Sequence, residues 1–172
     1  VTDAARRRLG LDRVWWLVSP GNPLKARGPA ALDARLAVAR DMLAGRPWAA
    51  ATEVEAALGS PYTADTLAAL QRLRPDLRLV WMMGADNLAG LHRWDRWSEI
   101  MERVPVAVFA RPGMQSRAGL SPAARAFARA RLRPEAARAL PMRAAPAWVL
   151  LASGPTSPAS STALRAAGLW RA

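Results

Sequence analysis

No cysteine occurs among the 172 residues, which excludes disulfides and thiolate metal sites and leaves the compartment open. Histidine is nearly as scarce. His92 stands alone beside Arg93, with no second ligand or carboxylate partner in the nearby sequence, so neither a Cys/His metal site nor a Ser-His-Asp constellation is expected. No glycine-rich phosphate loop ending in Lys-Ser/Thr is present either. The longest apolar runs (Val14 to Val18, Val104 to Ala110, Ala147 to Ala152) fall far short of the ~18 residues a spanning helix needs. The first twelve residues are charged and amphipathic rather than an apolar leader, and the expectation is a soluble, cytoplasmic chain with no membrane partner. Lysine is missing too, except for Lys25, so the net charge of +12 is almost wholly arginine. Those arginines (Arg6 to Arg8, Arg35, Arg40, Arg72, Arg125, Arg129) spread over every expected helix. They fit solvated helical faces better than one nucleic-acid patch, while an acidic small molecule stays compatible.

What the chain does have is an alternation of periods. With 52% hydrophobic and 22% charged residues it is long enough for one domain with a real core. Thr2 to Leu9 reads as a helix and Arg13 to Ser19 as a buried strand, Val-Trp-Trp-Leu-Val being apolar without a break. Pro29 suits the first helical residue of a stripe (Leu32, Leu36, Ala39, Leu43) that ends at Gly45. A weaker strand is expected near Trp48 to Thr52. Thr63 is expected to cap a helix running to about Arg74, stopped by Pro75. Further strands are expected at Leu77 to Met83, Val104 to Ala110 and Trp148 to Ala152. Helical segments are expected at Asp86 to Leu91, at Trp94 to Met101, after Pro122, and at Ser161 to Ala167. Continuous apolar strands alternating with helices predict an α/β fold, a parallel sheet covered by helices. In such sheets ligands lie outside the carboxyl ends of the strands, so the residues after each strand are the candidates.

After the first strand, Ser19-Pro20-Gly21-Asn22-Pro23-Leu24-Lys25 forms a rigid turn from which Lys25 can reach a phosphate; an ordinary surface loop is the plainer reading. After the second, Asp86 can accept from ribose hydroxyls, and Trp94 offers a flat face to an aromatic base. A helix cap for Asp86 and core packing for Trp94 are the alternatives, and Trp97 is expected to pack. Thr63 and Thr66 lie in the first turn of a helix whose free N–H groups suit an anion such as a carboxylate. Ser160-Ser161-Thr162-Ala163-Leu164-Arg165 repeats this more forcefully. Hydroxyls at a helix start with Arg165 three residues after Thr162 make a compact phosphate cradle.

Taken in order, VWWLVSPGNPLK, YTADTL, WMMGADNLAGLHRWDRW, VPVAVFARPG and SSTALR resemble the bacterial nicotinate-mononucleotide adenylyltransferases. They span almost the whole chain. The pairing of GADN and Trp94 with a terminal SSTALR is the most discriminating part. The resemblance implies a Rossmann-like nucleotidyltransferase fold in one domain over residues 1–172. It also implies transfer of AMP from ATP to nicotinate mononucleotide, giving nicotinate adenine dinucleotide and pyrophosphate, with Mg²⁺ accompanying the ATP. Carried onto this sequence, Trp94 would stack on the pyridine ring, backbone near Thr63 and Asp95 would hold its carboxylate, and Asp86 would contact the mononucleotide or organise its pocket. Lys25 would lie near the phosphates, and Ser161, Thr162 and Arg165 would take those of ATP.

One departure is large. The family's Gly-Phe-Asx-Pro-x-x-His-x-Gly-His segment, which holds the ATP phosphates, is not present; it would fall upstream of Val1, with the first strand. The fold is therefore expected to lack its first strand and catalytic loop, and no catalytic residue is retained. Losing preorganised donors commonly costs ~10²–10³ in rate each. Purified residues 1–172 are accordingly expected to turn over ATP and nicotinate mononucleotide barely or not at all, and brisk pyrophosphate release would overturn that. The rival readings are a non-catalytic nucleotide-binding remnant, a sister nucleotidyltransferase for another phosphate ester, and a basic RNA-binding module with steeply salt-dependent affinity.

Overall fold

The computed structural model describes residues 2–21, 31–111 and 118–152. They form two compact units, one from residues 2–12 and 62–152 and the other from residues 13–61.

In the smaller unit, strands β1 (Val14–Leu17) and β2 (Ala49–Thr52) pair in parallel, Val14 opposite Ala49 and Leu17 opposite Thr52. Two parallel strands need a crossover, here carrying helix α2 (Leu32–Leu43). Its stripe of Leu36, Ala39 and Leu43 is buried, as the 3.6-residue period requires. Pro29, expected to start that helix, lies outside the described residues; the described helix begins at Leu32. A short helix, α3 (Val54–Leu58), follows β2 and ends at the left-handed Gly59.

The larger unit holds a four-stranded parallel sheet in the order β3-β4-β6-β5. Its strands are β3 (Trp81–Gly84), β4 (Val106–Ala110), β5 (Arg131–Leu132) and β6 (Trp148–Ala152). Alternate residues of a strand face opposite sides of a sheet, and both sides here are apolar. From β4 and β6, Val106, Val108, Trp148 and Leu150 join Leu67 of helix α4 (Thr63–Leu73), Leu88 of α5 (Ala85–Gly90) and Ile100 of α6 (Trp97–Arg103). From the same strands, Ala107, Phe109, Val149 and Leu151 turn to the other side, against Ala5 and Leu9 of α1 (Thr2–Leu9) and Leu140. Both faces are covered, which is why β4 and β6 read as unbroken apolar runs. Gly10, in the left-handed region (φ +66), ends α1 as only glycine does without strain. The Arg8 guanidinium donates to the Ala152 carbonyl at 2.6 Å.

Several expected boundaries move. Thr63 is the first residue of α4 and not its cap: Tyr62 stands there in extended conformation and makes no side-chain capping bond. The strand expected from Leu77 starts at Trp81, because the Leu77 N–H turns back to the Arg74 carbonyl at 3.1 Å. The helix expected from Trp94 starts at Trp97, and Trp94 itself is extended. The helix after Pro122 is one short turn, α7 (Pro122–Ala126), capped by the Ser121 hydroxyl accepting from the Ala124 N–H at 3.3 Å. The helix expected at Ser161 to Ala167 lies outside the described residues.

Candidate functional site

The site builds from the carboxyl end of β3. The strand runs without a loop into α5, and Gly84 is the cap residue between them. Asp86, in the first turn of α5, is exposed, and its carboxylate folds back over Gly84. A Cβ at position 84 would meet the end of that exposed carboxylate, which would have to turn aside, so glycine leaves the acidic group room over the strand end. Asp86 is not the helix cap, which removes the plainer reading of its role.

Beyond α5, a short 3₁₀ turn (Leu91–Arg93) delivers Trp94 in extended conformation, its N–H donating to the Leu91 carbonyl at 2.8 Å. The Trp94 ring is half-buried against the large apolar cluster. A tryptophan held at its base but not enclosed can offer a ring to a flat ligand. Trp97 is the contrasting case: its ring meets Phe127 edge-on, centroids 6.0 Å apart and planes at 88°. It packs, as expected.

Between the two tryptophans, Arg96 makes the contact that defines the site. Its guanidinium donates to Asp95 Oδ2 through Nε and to Asp65 Oδ1 through Nη2, each at 2.7 Å. Asp65 lies in the first turn of α4, so one side chain ties the YTADTL segment to the WDRW segment across 31 positions of sequence. The two carboxylates, Asp95 first, hold the Arg96 guanidinium protonated beyond its ordinary range. Arg96 also takes φ 43, in the left-handed region, which L side chains other than Asn and Asp seldom visit. All three partners are well exposed, and exposed ion pairs stabilise a fold little. What this pair of bonds supplies is geometry.

The clamp brings together the first turn of α4, Asp95 and the chain next to Trp94. Thr66 is fully buried, and its hydroxyl donates to the Tyr62 carbonyl at 3.3 Å. That bond commits Thr66 to shaping the turn. Thr63 is half-buried at its start. Without a side-chain cap, the amides of Thr63 and Ala64 and the positive end of the helix dipole are left for an outside acceptor. Arg96 is already engaged by two carboxylates, which offset its charge for that part. Asp65 and Arg96 were not among the candidates read from the sequence, and only their contact through the fold identifies them. Lys25, Ser161, Thr162 and Arg165 lie outside the described residues.

Comparison with known proteins gives a consistent set of likenesses. Residues 1–167 match the cytidylyltransferase-like family model. A protein of Cereibacter sphaeroides described as a "probable nicotinate-nucleotide adenylyltransferase" is 56% identical over 171 residues, spanning 99% of this chain and 89% of its own length. One of Ruegeria pomeroyi with the same description is 54% identical over 172 residues, spanning 100% of this chain and 80% of its own. Among solved structures, the Plasmodium falciparum nicotinic acid mononucleotide adenylyltransferase complexed with NaAD superposes with a TM-score of 0.64. That likeness covers 96% of this chain and 75% of the other, at 12% identity, a likeness of fold.

Proposed function

Because the chain belongs to the nicotinate-nucleotide adenylyltransferases, within the cytidylyltransferase-like family, we propose that its residues serve transfer of AMP from ATP to nicotinate mononucleotide. The products are nicotinate adenine dinucleotide and pyrophosphate. Residues 1–172 act as one nucleotidyltransferase domain, in the cytoplasm. The observation that carries the reading is the Asp65–Arg96–Asp95 clamp, which joins the uncapped start of α4 to the loop holding Trp94.

Each part then has a chemical task. Trp94 stacks on the electron-poor pyridine ring. The Thr63 and Ala64 amides, at the positive end of α4, take the ring's carboxylate, with backbone at Asp95 closing the other side. Asp86 accepts from the mononucleotide's hydroxyls. Lys25 and the Ser161, Thr162 and Arg165 cradle take phosphates. The reaction is an in-line attack by the mononucleotide phosphate on the α-phosphorus of ATP, so it depends on holding two anions in register rather than on covalent help from the protein. Mg²⁺ screens the charge of the nucleotide phosphates when bound. Among the described residues, no group of three or more carboxylate or histidine side chains could hold a metal ion.

The RNA-binding alternative fares less well for a physical reason. Arg8, Arg13, Arg35 and Arg46 are bonded to backbone carbonyls, and Arg74, Arg96 and Arg103 to carboxylates of their own chain. Phosphate binding would have to break or share those bonds.

Titration calorimetry of the chain with nicotinate mononucleotide tests the reading, with Arg96→Ala and Arg96→Gly alongside. Wild type is expected to bind, and both variants to bind severalfold more weakly with melting temperatures nearly unchanged. Glycine relieves the left-handed backbone and alanine does not, so equal losses trace the effect to the clamp. Unchanged affinity in both would remove the clamp from the site.

A further inference from the structure

In the larger unit the roles proposed above gather at the carboxyl ends of the strands. The amino end of the same sheet carries a cleft of about 310 Å³ that none of them uses. The segments leading into three adjacent strands border it: residues 77–79 before β3, 104 and 105 before β4, and 141–145 before β6. Gln71, near the end of α4, ties this end together by donating to the Arg103 carbonyl at 2.9 Å.

The floor is apolar and the rim cationic. Val104 and Pro105 are buried, whereas Arg78, Arg103 and Arg143 are exposed. No acidic residue is among the described residues that border the cleft. The three guanidiniums differ in what they already hold. Arg103 is paired with Glu99 at 3.2 Å, one turn back on α6. Arg78 donates to the Met142 sulfur at 2.7 Å, a weak acceptor on a side chain that is itself 67% exposed. The Arg143 side chain has no partner among the described residues. Asp76, two residues before Arg78, is bound twice by Arg74.

Arginine at the end of a helix often does no more than answer the helix's negative pole. Arg103 closes α6 and fits that account. Arg78 and Arg143 do not, because each stands in a segment that leads into a strand. The Arg78–Met142 bond spans 64 positions of sequence and brings Arg78 beside the segment that carries Arg143. Two cations without a carboxylate on one small cleft suit a doubly charged anion, and the planar guanidinium fork matches phosphate oxygens. A phosphate monoester carries about −1.5 to −2 at neutral pH. Small-molecule sites begin at roughly 300 Å³, so the body attached to that phosphate is small.

We propose that this cleft is a second anion site, which takes a small phosphate monoester. Its phosphate oxygens accept from Arg78 and Arg143, Arg103 adds charge, and its body lies on Val104 and Pro105. Arg78 thereby exchanges a thioether for a far stronger acceptor. The site shares no residue with the mononucleotide reading and does not depend on it.

The test is heteronuclear NMR of the ¹⁵N-labelled full chain titrated with ribose 5-phosphate. Saturable shifts are expected at the amides of residues 77–79 and 142–145, beyond any caused by sodium chloride at equal ionic strength. Removing a charge-assisted hydrogen bond weakens binding about tenfold or more, so Arg78→Ala and Arg143→Ala should each raise the dissociation constant read at those amides by that factor. Arg143→Lys keeps the charge but loses the fork, and should fall between alanine and wild type. Both arginines are exposed, so the variants should melt near wild type and their spectra should otherwise superpose. Absence of shifts at these amides, shifts that sodium chloride reproduces, or a wild-type dissociation constant in both alanine variants overturns the proposal.

Discussion

Replacing Trp148 by alanine is expected to lower stability by about 3–5 kcal/mol, the usual range for deleting a fully buried tryptophan. Trp148 is 0% exposed and opens β6, which, like β4, has a neighbouring strand on each side. Its ring joins the cluster formed by α4, α5 and α6. Its Nε1–H donates to the Phe127 carbonyl at 2.8 Å, and the Arg131 guanidinium lies 5.2 Å from the ring centroid. Alanine would therefore leave a cavity, take from the Phe127 carbonyl one of its two donors, the Ala130 N–H at 3.0 Å being the other, and remove the surface on which Arg131 rests. Domains are typically stable by only ~5–15 kcal/mol, so the variant should unfold at markedly lower denaturant. Trp148→Phe refills most of the cavity but cannot donate, and should lose less. Equilibrium urea unfolding checks both. A loss under about 1 kcal/mol for alanine would mean the site collapses around the gap, contrary to its packing.

Trp94→Ala is expected to have the largest effect on binding. Stacking of a flat ring on an aromatic side chain is worth ~1–3 kcal/mol, which is about 5- to 150-fold in the dissociation constant for nicotinate mononucleotide. Affinity for ATP should not change, since the pyridine ring is what Trp94 recognises in this reading. Trp94→Phe should keep part of the affinity. The Trp94 ring also packs, half-buried, on the large apolar cluster, so some loss of stability is expected. Binding is therefore measured well below the melting temperature of the variant. An alanine variant that bound the mononucleotide as well as wild type would sink the assignment of the pyridine site and with it the choice of substrate.

These two tryptophans mark what periodicity can and cannot tell. Trp148 sits in an unbroken apolar run, and its burial follows from that run alone. Trp94 sits in Leu-His-Arg-Trp-Asp-Arg-Trp, where no period distinguishes a ring that packs from one that waits for a ligand. Both rings are half-buried against the same apolar cluster, and the fold gives Trp97 an aromatic partner in Phe127.

The elements that were missed share a cause. Helix α3, strand β5 and the 3₁₀ stretch Pro134–Met142 are short or irregular. Arg131 and Leu132 show no alternation, and they form a strand only because β6 offers its edge. Short elements carry too little periodic signal to outweigh local preference, so tertiary contact decides them.

By itself, the sequence determined the class of fold and the order of its long elements, because continuous apolar strands require cover on both faces and a 3.6-residue stripe supplies it. It also singled out Thr63, Asp86 and Trp94, since they follow strands or open helices, and Asp95 through the resemblance alone. Only the tertiary structure decided the strand order β3-β4-β6-β5 and the pairing of Asp65 with Arg96. It alone buried Glu55. Periodicity reports which face of an element is apolar. It is silent on which polar side chains, distant along the chain, meet once those faces are buried.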